Sequence, residues 1–234
     1  MTDIEKNDIE KLCFFRQKII DNTHLRLTEE YELLLRQEQG NRFIFPEELF
    51  YKMIVNKDYH SLYLEHIKPI LYSYFEKSDA IYSLNMDYQE LYYPDTIEFL
   101  KNFKYKKRLK IELTERIPLF RDNPYKELVP IEVIKAISSL GYTIVFDDFL
   151  SGVNTFETLF TVEPYISRIK ISVLPFKKNL STEELRAFIF SIVEAIHFLG
   201  KEIVIEGVEE EELLNCFPED WKQQTYFYDF PHKF

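Results

Sequence analysis

Two adjacent aspartates, Asp147 and Asp148, follow the apolar run Tyr142–Phe146 in the stretch SSLGYTIVFDDFLSG. Neighbouring carboxylates repel unless a positive charge lies beside them, and a divalent cation is the usual remedy. Other polar residues fall at comparable places. Glu32 lies in YELLLR, Asn85 closes AIYSLN, Glu112 is near the end of RLKIEL, Lys170 is inside RIKISV, and Glu206 follows Ile203–Ile205. Oxygen donors of this kind suit hard ions, Mg²⁺ or Mn²⁺, rather than zinc. With Asp147 as a bridge, two such ions about 3.5–4 Å apart could hydrolyse a phosphate ester. Each residue also has a plainer reading by itself. Asp148 could cap a helix, Lys170 could pair with an acid inside a barrel, and Glu206 could belong to the surface acids that follow it. It is their joint placement at strand ends that points to a site.

The elements that must carry these groups alternate along the chain. Strands are expected at Cys13–Ile20, Tyr31–Arg36, Ala80–Asn85, Arg108–Leu113, Tyr142–Phe146, Arg168–Val173, Ile203–Ile205 and Thr225–Phe230. Helical patterns fill Pro46–Phe75, with Asp58 as a cap for its second part, then Pro94–Phe103, Pro130–Leu140, Phe156–Phe160, Ser181–Leu199 and Glu209–Leu214. Ser181 with Glu184 three residues on is a capping box. The units LGYTIVFD (140–147) and LGKEIVIE (199–206) repeat one scheme of helix end, Leu-Gly, apolar strand and carboxylate. Eight strands alternating with helices favour a (β/α)₈ barrel, whose functional face is built from strand C-termini. The interval from Ile20 to Tyr31 is too short for a crossover helix, so the first strand is expected to run antiparallel to the second. No Gly-, Ser- or Pro-rich linker interrupts the chain, and residues 1–234 read as one domain.

A net charge of −11 argues against a protein that wraps a nucleic-acid polymer, while leaving room for a small anion if metal ions supply the positive charge. The basic cluster Lys104, Lys106, Lys107 and Arg108 reads as solvated surface, and the 21 Phe and 16 Tyr as core filling. Cys13 and Cys216 form no CxxC pair, which fits a reducing compartment. The charged N-terminal stretch lacks a secretory pattern and no window is apolar enough to span a membrane, so the expected location is cytoplasmic, without a membrane partner.

The motifs follow one another in a telling order: Arg16-Gln17-Lys18-Ile19, Glu32-Leu33-Leu34-Leu35-Arg36, Asn85, Glu112-Leu113-Thr114-Glu115, Asp147-Asp148-Phe149, Lys170-Ile171-Ser172, Glu206-Gly207-Val208-Glu209 and Gln224. This series resembles the EAL-domain phosphodiesterases, which hydrolyse cyclic di-GMP to linear pGpG. The resemblance implies a modified TIM-like barrel with one antiparallel strand. It implies two Mg²⁺ or Mn²⁺ ions, one held by Glu32, Asn85, Glu112 and Asp147, the other by Asp147, Asp148 and Glu206. It also implies that Lys170, Glu206 and Glu115 serve catalysis, Lys170 by orienting the attacking water and Glu115 by anchoring the loop after Asp148. Gln17, Arg36 and Gln224 would contact the dinucleotide. Family members often dimerise, which makes a second copy a candidate partner. No sensor or cyclase segment is visible, so regulation is expected from dimerisation, a partner or expression level. The chain departs from the family at Leu33 for alanine, Leu150 for glycine, Val153 for an aromatic, Ser172 for aspartate, Lys18 for proline and Thr225 for glycine. The alternatives are a degenerate EAL module that binds cyclic di-GMP or a protein without turnover, and an unrelated metal-dependent barrel enzyme.

Overall fold

A computed structural model describes residues 3–21, 29–118 and 128–234. Helix α1 (Asp3–Glu10) leads into β1 (Leu12–Lys18), which pairs antiparallel with β2 (Glu30–Gln39), Gln17 opposite Glu32. The connection 22–28 lies outside the described residues. β2 turns back through β3 (Arg42–Ile44) before α2 (Glu47–Val55), α3 (Lys57–Lys77) and β4 (Ile81–Met86). The chain then alternates through α4 (Pro94–Asn102), β5 (Leu109–Leu113), α5 (Ile131–Ser139), β6 (Thr143–Phe146), α6 (Phe156–Val162), β7 (Arg168–Ser172), α7 (Thr182–Ile196), β8 (Glu202–Glu206), α8 (Glu211–Leu214) and β9 (Lys222–Gln224). A two-residue β10 (His232–Lys233) pairs with β1.

Strands β2 and β4 to β9 are parallel neighbours in chain order. The curl of this sheet brings β9 back to the first strand. Ile20, just past β1, donates to Gln223 O at 2.8 Å and Gln223 donates to Ile20 O at 3.0 Å. The result is the expected modified (β/α)₈ barrel, with β1 as its one antiparallel strand.

Local chemistry sets the element ends. Pro94 opens α4 at a position where its missing N–H is no loss. Ser181 and Glu184 form the complete capping box on α7. In both Leu-Gly units the glycine takes positive φ, +91° at Gly141 and +63° at Gly200, the turn a helix needs before re-entering the sheet. The cap before α3 is Asn56, whose side chain accepts from Asp58 N and Tyr59 N, and not Asp58. An amide oxygen one residue outside the helix reaches those orphan donors; a side chain already inside the first turn does not.

The last barrel strand is also displaced from its expected place. It is Lys222–Gln224, and Thr225–Phe230 is a turn closed by Asp229 N–H on Thr225 O at 3.2 Å. The aromatics of 226–230 imitate strand composition, yet Tyr226, Phe227, Tyr228 and Phe230 are exposed. Strand β7 alternates aliphatic and polar residues, and all five of its residues are buried. Its aliphatic residues join the hydrophobic core, and its charged face fills the barrel. There Arg168 donates to Glu30 (2.9 Å), Lys110 to Glu30 (2.7 Å) and Lys222 to Glu30 (3.1 Å), while Lys222 also meets Glu202 (2.7 Å). A buried ion layer thus forms the floor beneath the candidate site.

Candidate active site

One layer above that floor, the barrel's inward residues are again charged. Glu32 comes from β2, Asn85 from β4, Glu112 from β5, Lys170 from β7 and Glu206 from β8, and Asp147 and Asp148 follow β6. The parallel register sets Asn85 opposite Glu112 and Glu206 opposite Gln224, so residues distant in sequence reach one rim. Lys170 is at the centre. Its Nζ lies 3.0 Å from Glu32, 2.6 Å from Glu112, 3.0 Å from Asp147 and 2.6 Å from Glu206. An ammonium has three N–H bonds and cannot serve four carboxylates. It donates to Glu32 and Glu112, while Asp147 Oδ1 and Glu206 Oε1 are near it in distance but accept no hydrogen bond.

Glu32 is the best supported acid, taking Asn85 Nδ2 at 2.6 Å and Gln224 Nε2 at 2.6 Å. Burial opposes its charge, but Lys170, Asn85 and Gln224 outweigh that and hold its carboxyl below the usual range. The others go the opposite way. Burial, reinforced by Glu32 and Asp147, raises Glu112 to about 8; burial with Asp147 and Glu115 raises Asp148 to about 7. Burial also raises Asp147 and Glu206. Five carboxylates facing one lysine therefore leave a strong demand for positive charge.

The donor set fits hard cations. Asn85 Oδ1 and Glu112 Oε1 are buried without a hydrogen-bond partner. Asp147, Asp148 and Glu206 each offer an oxygen, all within 4.8 Å of one another. Oxygen-only donors of this density suit Mg²⁺, Mn²⁺ or Ca²⁺.

The remaining expected residues sit around this cluster. Gln17 and Gln224 are buried and joined at 3.2 Å, Gln224 turning its amide on Glu32 and Gln17 reaching Asp229 O at 3.3 Å. Arg36 is half-buried, donates to Leu35 O, and lines a cavity of about 220 Å³ together with Asn85, Asp147 and Asp148. A larger cavity of about 980 Å³ lies between the β2–β3 hairpin and α2 and contains none of the candidate site residues. Size alone does not select the site.

Glu115 meets the loop after Asp148 through its backbone carbonyl. Val153 N–H donates to Glu115 O at 2.9 Å, and a Cβ on Gly152 (φ +48°) would fall 2.0 Å from that oxygen. Asp148 (φ +42°) and Leu150 (φ +76°) are left-handed although neither is glycine. The sequence reading missed Asn154. It is fully buried, donates to Leu113 O at 2.9 Å and to Asp147 O, and accepts from Tyr88 at 2.8 Å. It thereby ties the ends of β5 and β6 together and fixes the backbone of Asp147. A buried amide seven residues after an aspartate carries no periodic signature, and beside Ser151 and Thr155 an Asn in this turn does not stand out.

An α/β barrel with an oxygen-rich acidic rim at its strand ends defines the class: a barrel whose rim donors suit hard cations. The chain belongs to the EAL domain family, whose model matches residues 6–219. An EAL domain protein from Listeria monocytogenes EGD-e is similar at 20% identity, with 100% of this chain and 94% of that chain covered and a TM-score of 0.77. The PaMucR phosphodiesterase in complex with c-di-GMP aligns at 18% identity, over 98% of this chain and 95% of that one, with a TM-score of 0.74. Klebsiella pneumoniae BlrP1, in a manganese and cyclic di-GMP complex, aligns at 22% identity over 94% of this chain and 56% of that chain, with a TM-score of 0.71. At these identities the likeness is one of fold. No curated protein matches the sequence. Among the described residues no helix is long and apolar enough to cross a membrane.

Proposed function

We propose that this protein hydrolyses cyclic di-GMP to linear pGpG with the help of two divalent cations, Mg²⁺ or Mn²⁺. The observation that carries the reading is the convergence of Glu32, Glu112, Asp147 and Glu206, from four separate strands or strand ends, within 3.0 Å of one lysine. Glu32, Asn85, Glu112 and Asp147 would hold one ion, and Asp147, Asp148 and Glu206 the other. When bound, the ions would supply Lewis acidity, neutralising phosphate charge and making water acidic enough to attack at neutral pH.

The chain's own residues do the rest. Burial disfavours the charge on Lys170, but four surrounding carboxylates raise its pKa well above normal, so it stays an ammonium. It cannot act as a base; it donates N–H bonds and orients the attacking water. Asn85 and Gln224 keep Glu32 ionised and fixed. Asn154 fixes Asp147. The buried pair Gln17 and Gln224 and the half-buried Arg36 contact the dinucleotide around the scissile phosphate.

A second reading has one observation in its favour. Leu150 holds the loop after Asp148 in a conformation suited to glycine, and Ser172 next to Lys170's strand end adds no charge. A loop under such strain fits a module that binds the nucleotide without turnover. Chromatography of cyclic di-GMP incubated with the protein and Mg²⁺ or Mn²⁺ decides between the two. Formation of pGpG above a Glu32→Ala control supports hydrolysis. Binding with no pGpG above that control supports the binding module, and neither binding nor product sinks both.

A further inference from the structure

Arg116, the residue after Glu115, has no role in the scheme above, yet it shares the 220 Å³ cavity with Arg36, Asn85, Asp147 and Asp148. The two arginines reach it from different parts of the sheet, Arg36 from β2 and Arg116 from the segment after β5, with β4 between those strands. Arg116 is exposed, and its guanidinium carbon lies 5.2 Å from the ring centroids of both Phe45 and Phe50. Those rings, 5.4 Å apart, come from the lead-in to α2 and its first turn. A guanidinium over aromatic rings is held in place while its N–H groups stay available to an anion. Among the described residues Arg116 forms no ion pair, whereas Lys110, Arg168, Lys170 and Lys222 each face acids. In a chain of net charge −11, an arginine that sits in an acid-lined cavity and is felt by Asp87, but forms no ion pair among the described residues, is conspicuous.

A cyclic dinucleotide carries two phosphodiesters, and only one can lie on the acidic rim where cations neutralise it. The other keeps its charge and needs a cationic side chain of the protein to meet it, in a cavity whose lining also includes Asp87, Glu115, Asp147 and Asp148. The cavity is smaller than the roughly 300–1,000 Å³ of pockets that enclose a whole small ligand, so it suits one half of the dinucleotide. We infer that Arg116 receives the second, uncleaved phosphodiester and so sets the preference for a cyclic dinucleotide over a ligand with one phosphate. This inference rests on the cyclic di-GMP reading above.

Titration calorimetry of the full chain with cyclic di-GMP and Ca²⁺, at low and high ionic strength, tests it. Arg116→Ala is expected to weaken binding about tenfold at low salt, because a charge-assisted hydrogen bond is lost, and by less at high salt, where the charge is screened. Arg116→Lys falls between, keeping the charge without the planar fork. If the wild type turns over, Arg116→Ala raises KM and leaves kcat unchanged, which a merely structural defect would not do. Wild-type binding with an unaltered Arg116→Ala variant, or a loss that does not depend on salt, overturns the role of Arg116 alone. No binding by the wild type overturns this inference and the functional reading together. Should Arg116→Ala not fold, Arg116→Lys and Arg116→Gln carry the same comparison.

Discussion

At the scale of single residues, the loop after β6 sets local strain against local packing. Leu150 holds a left-handed backbone, which costs a residue with a β-carbon roughly 1–2 kcal/mol relative to glycine. Its half-buried side chain packs on the core and offsets part of that cost. Leu150→Ala loses the packing and keeps the strain; Leu150→Gly loses both. Glycine should therefore be the more stable replacement by about 1 kcal/mol, against its usual penalty relative to alanine. Urea unfolding of the two variants measures the difference, and alanine proving the more stable would contradict the strained backbone. Lys170 gives a larger effect. Replacing it by Met leaves four acids crowded without a counter-charge, a loss of about 3–5 kcal/mol in metal-free protein. Turnover should vanish, and added Mn²⁺ should raise the melting temperature more in Lys170→Met than in the wild type. Both sequence readings of Lys170, partner of acids and catalytic group, meet in this one side chain. For Glu115 the sequence offered the residue but not the atom. A carboxylate invites a functional reading, whereas the loop in fact rests on the carbonyl that every residue has.

At the scale of elements, what was legible is what depends on neighbours in sequence. The capping box of α7, the proline opening α4 and the two Leu-Gly turns all sit where local chemistry puts them. What was not legible depends on the far side of the barrel. Lys170 could be read as the partner of an acid inside a barrel, but only the closed sheet says which acids receive it and Arg168, namely Glu32 and Glu112 for Lys170 and Glu30 and Glu202 for Arg168. The turn at 225–230 failed for the opposite reason, since aromatic composition favours a strand and nothing local says that the barrel is already closed. The floor layer gives its own prediction. Burial opposes the charge on Glu30, but hydrogen bonds and charge from Arg168, with Lys110 and Lys222, hold its carboxyl far below the usual range. A depressed carboxyl stabilises the fold above its unfolded pKa of about 4.3, and that contribution fades as pH falls toward the folded value. Glu30→Gln strands three cations, so it should lose about 3–5 kcal/mol near pH 7. The gap to wild type should narrow steadily below about pH 4, measured by denaturant unfolding across that range.

At the scale of the whole molecule, barrel closure converts seven scattered polar residues into one rim. The strand order and the single antiparallel strand were readable from the alternation of elements and from one short connection, while the stagger that aligns the acids comes from the register of β4 through β9. The rim has a measurable consequence for the molecule's stability. Without metal, Glu112 is raised to about 8 and Asp148 to about 7, chiefly by burial and then by neighbouring acids. Their unfolded values lie near 4. A carboxyl raised on folding contributes stability while it is protonated and loses it as pH climbs from the unfolded to the folded value, so the metal-free protein should weaken between about pH 4 and pH 8. Cations need the deprotonated oxygens, and their affinity must rise over the same window. Metal in hundredfold excess over its Kd stabilises by about 2.7 kcal/mol, and Kd itself falls as pH rises. At one fixed Mn²⁺ concentration, the rise in melting temperature over a chelated sample should therefore be larger at pH 8 than at pH 6. Glu112→Gln, which has no proton to lose, should flatten that trend as well as lower the gain. A gain that is the same at both pH values would mean that the ions bind somewhere other than this rim.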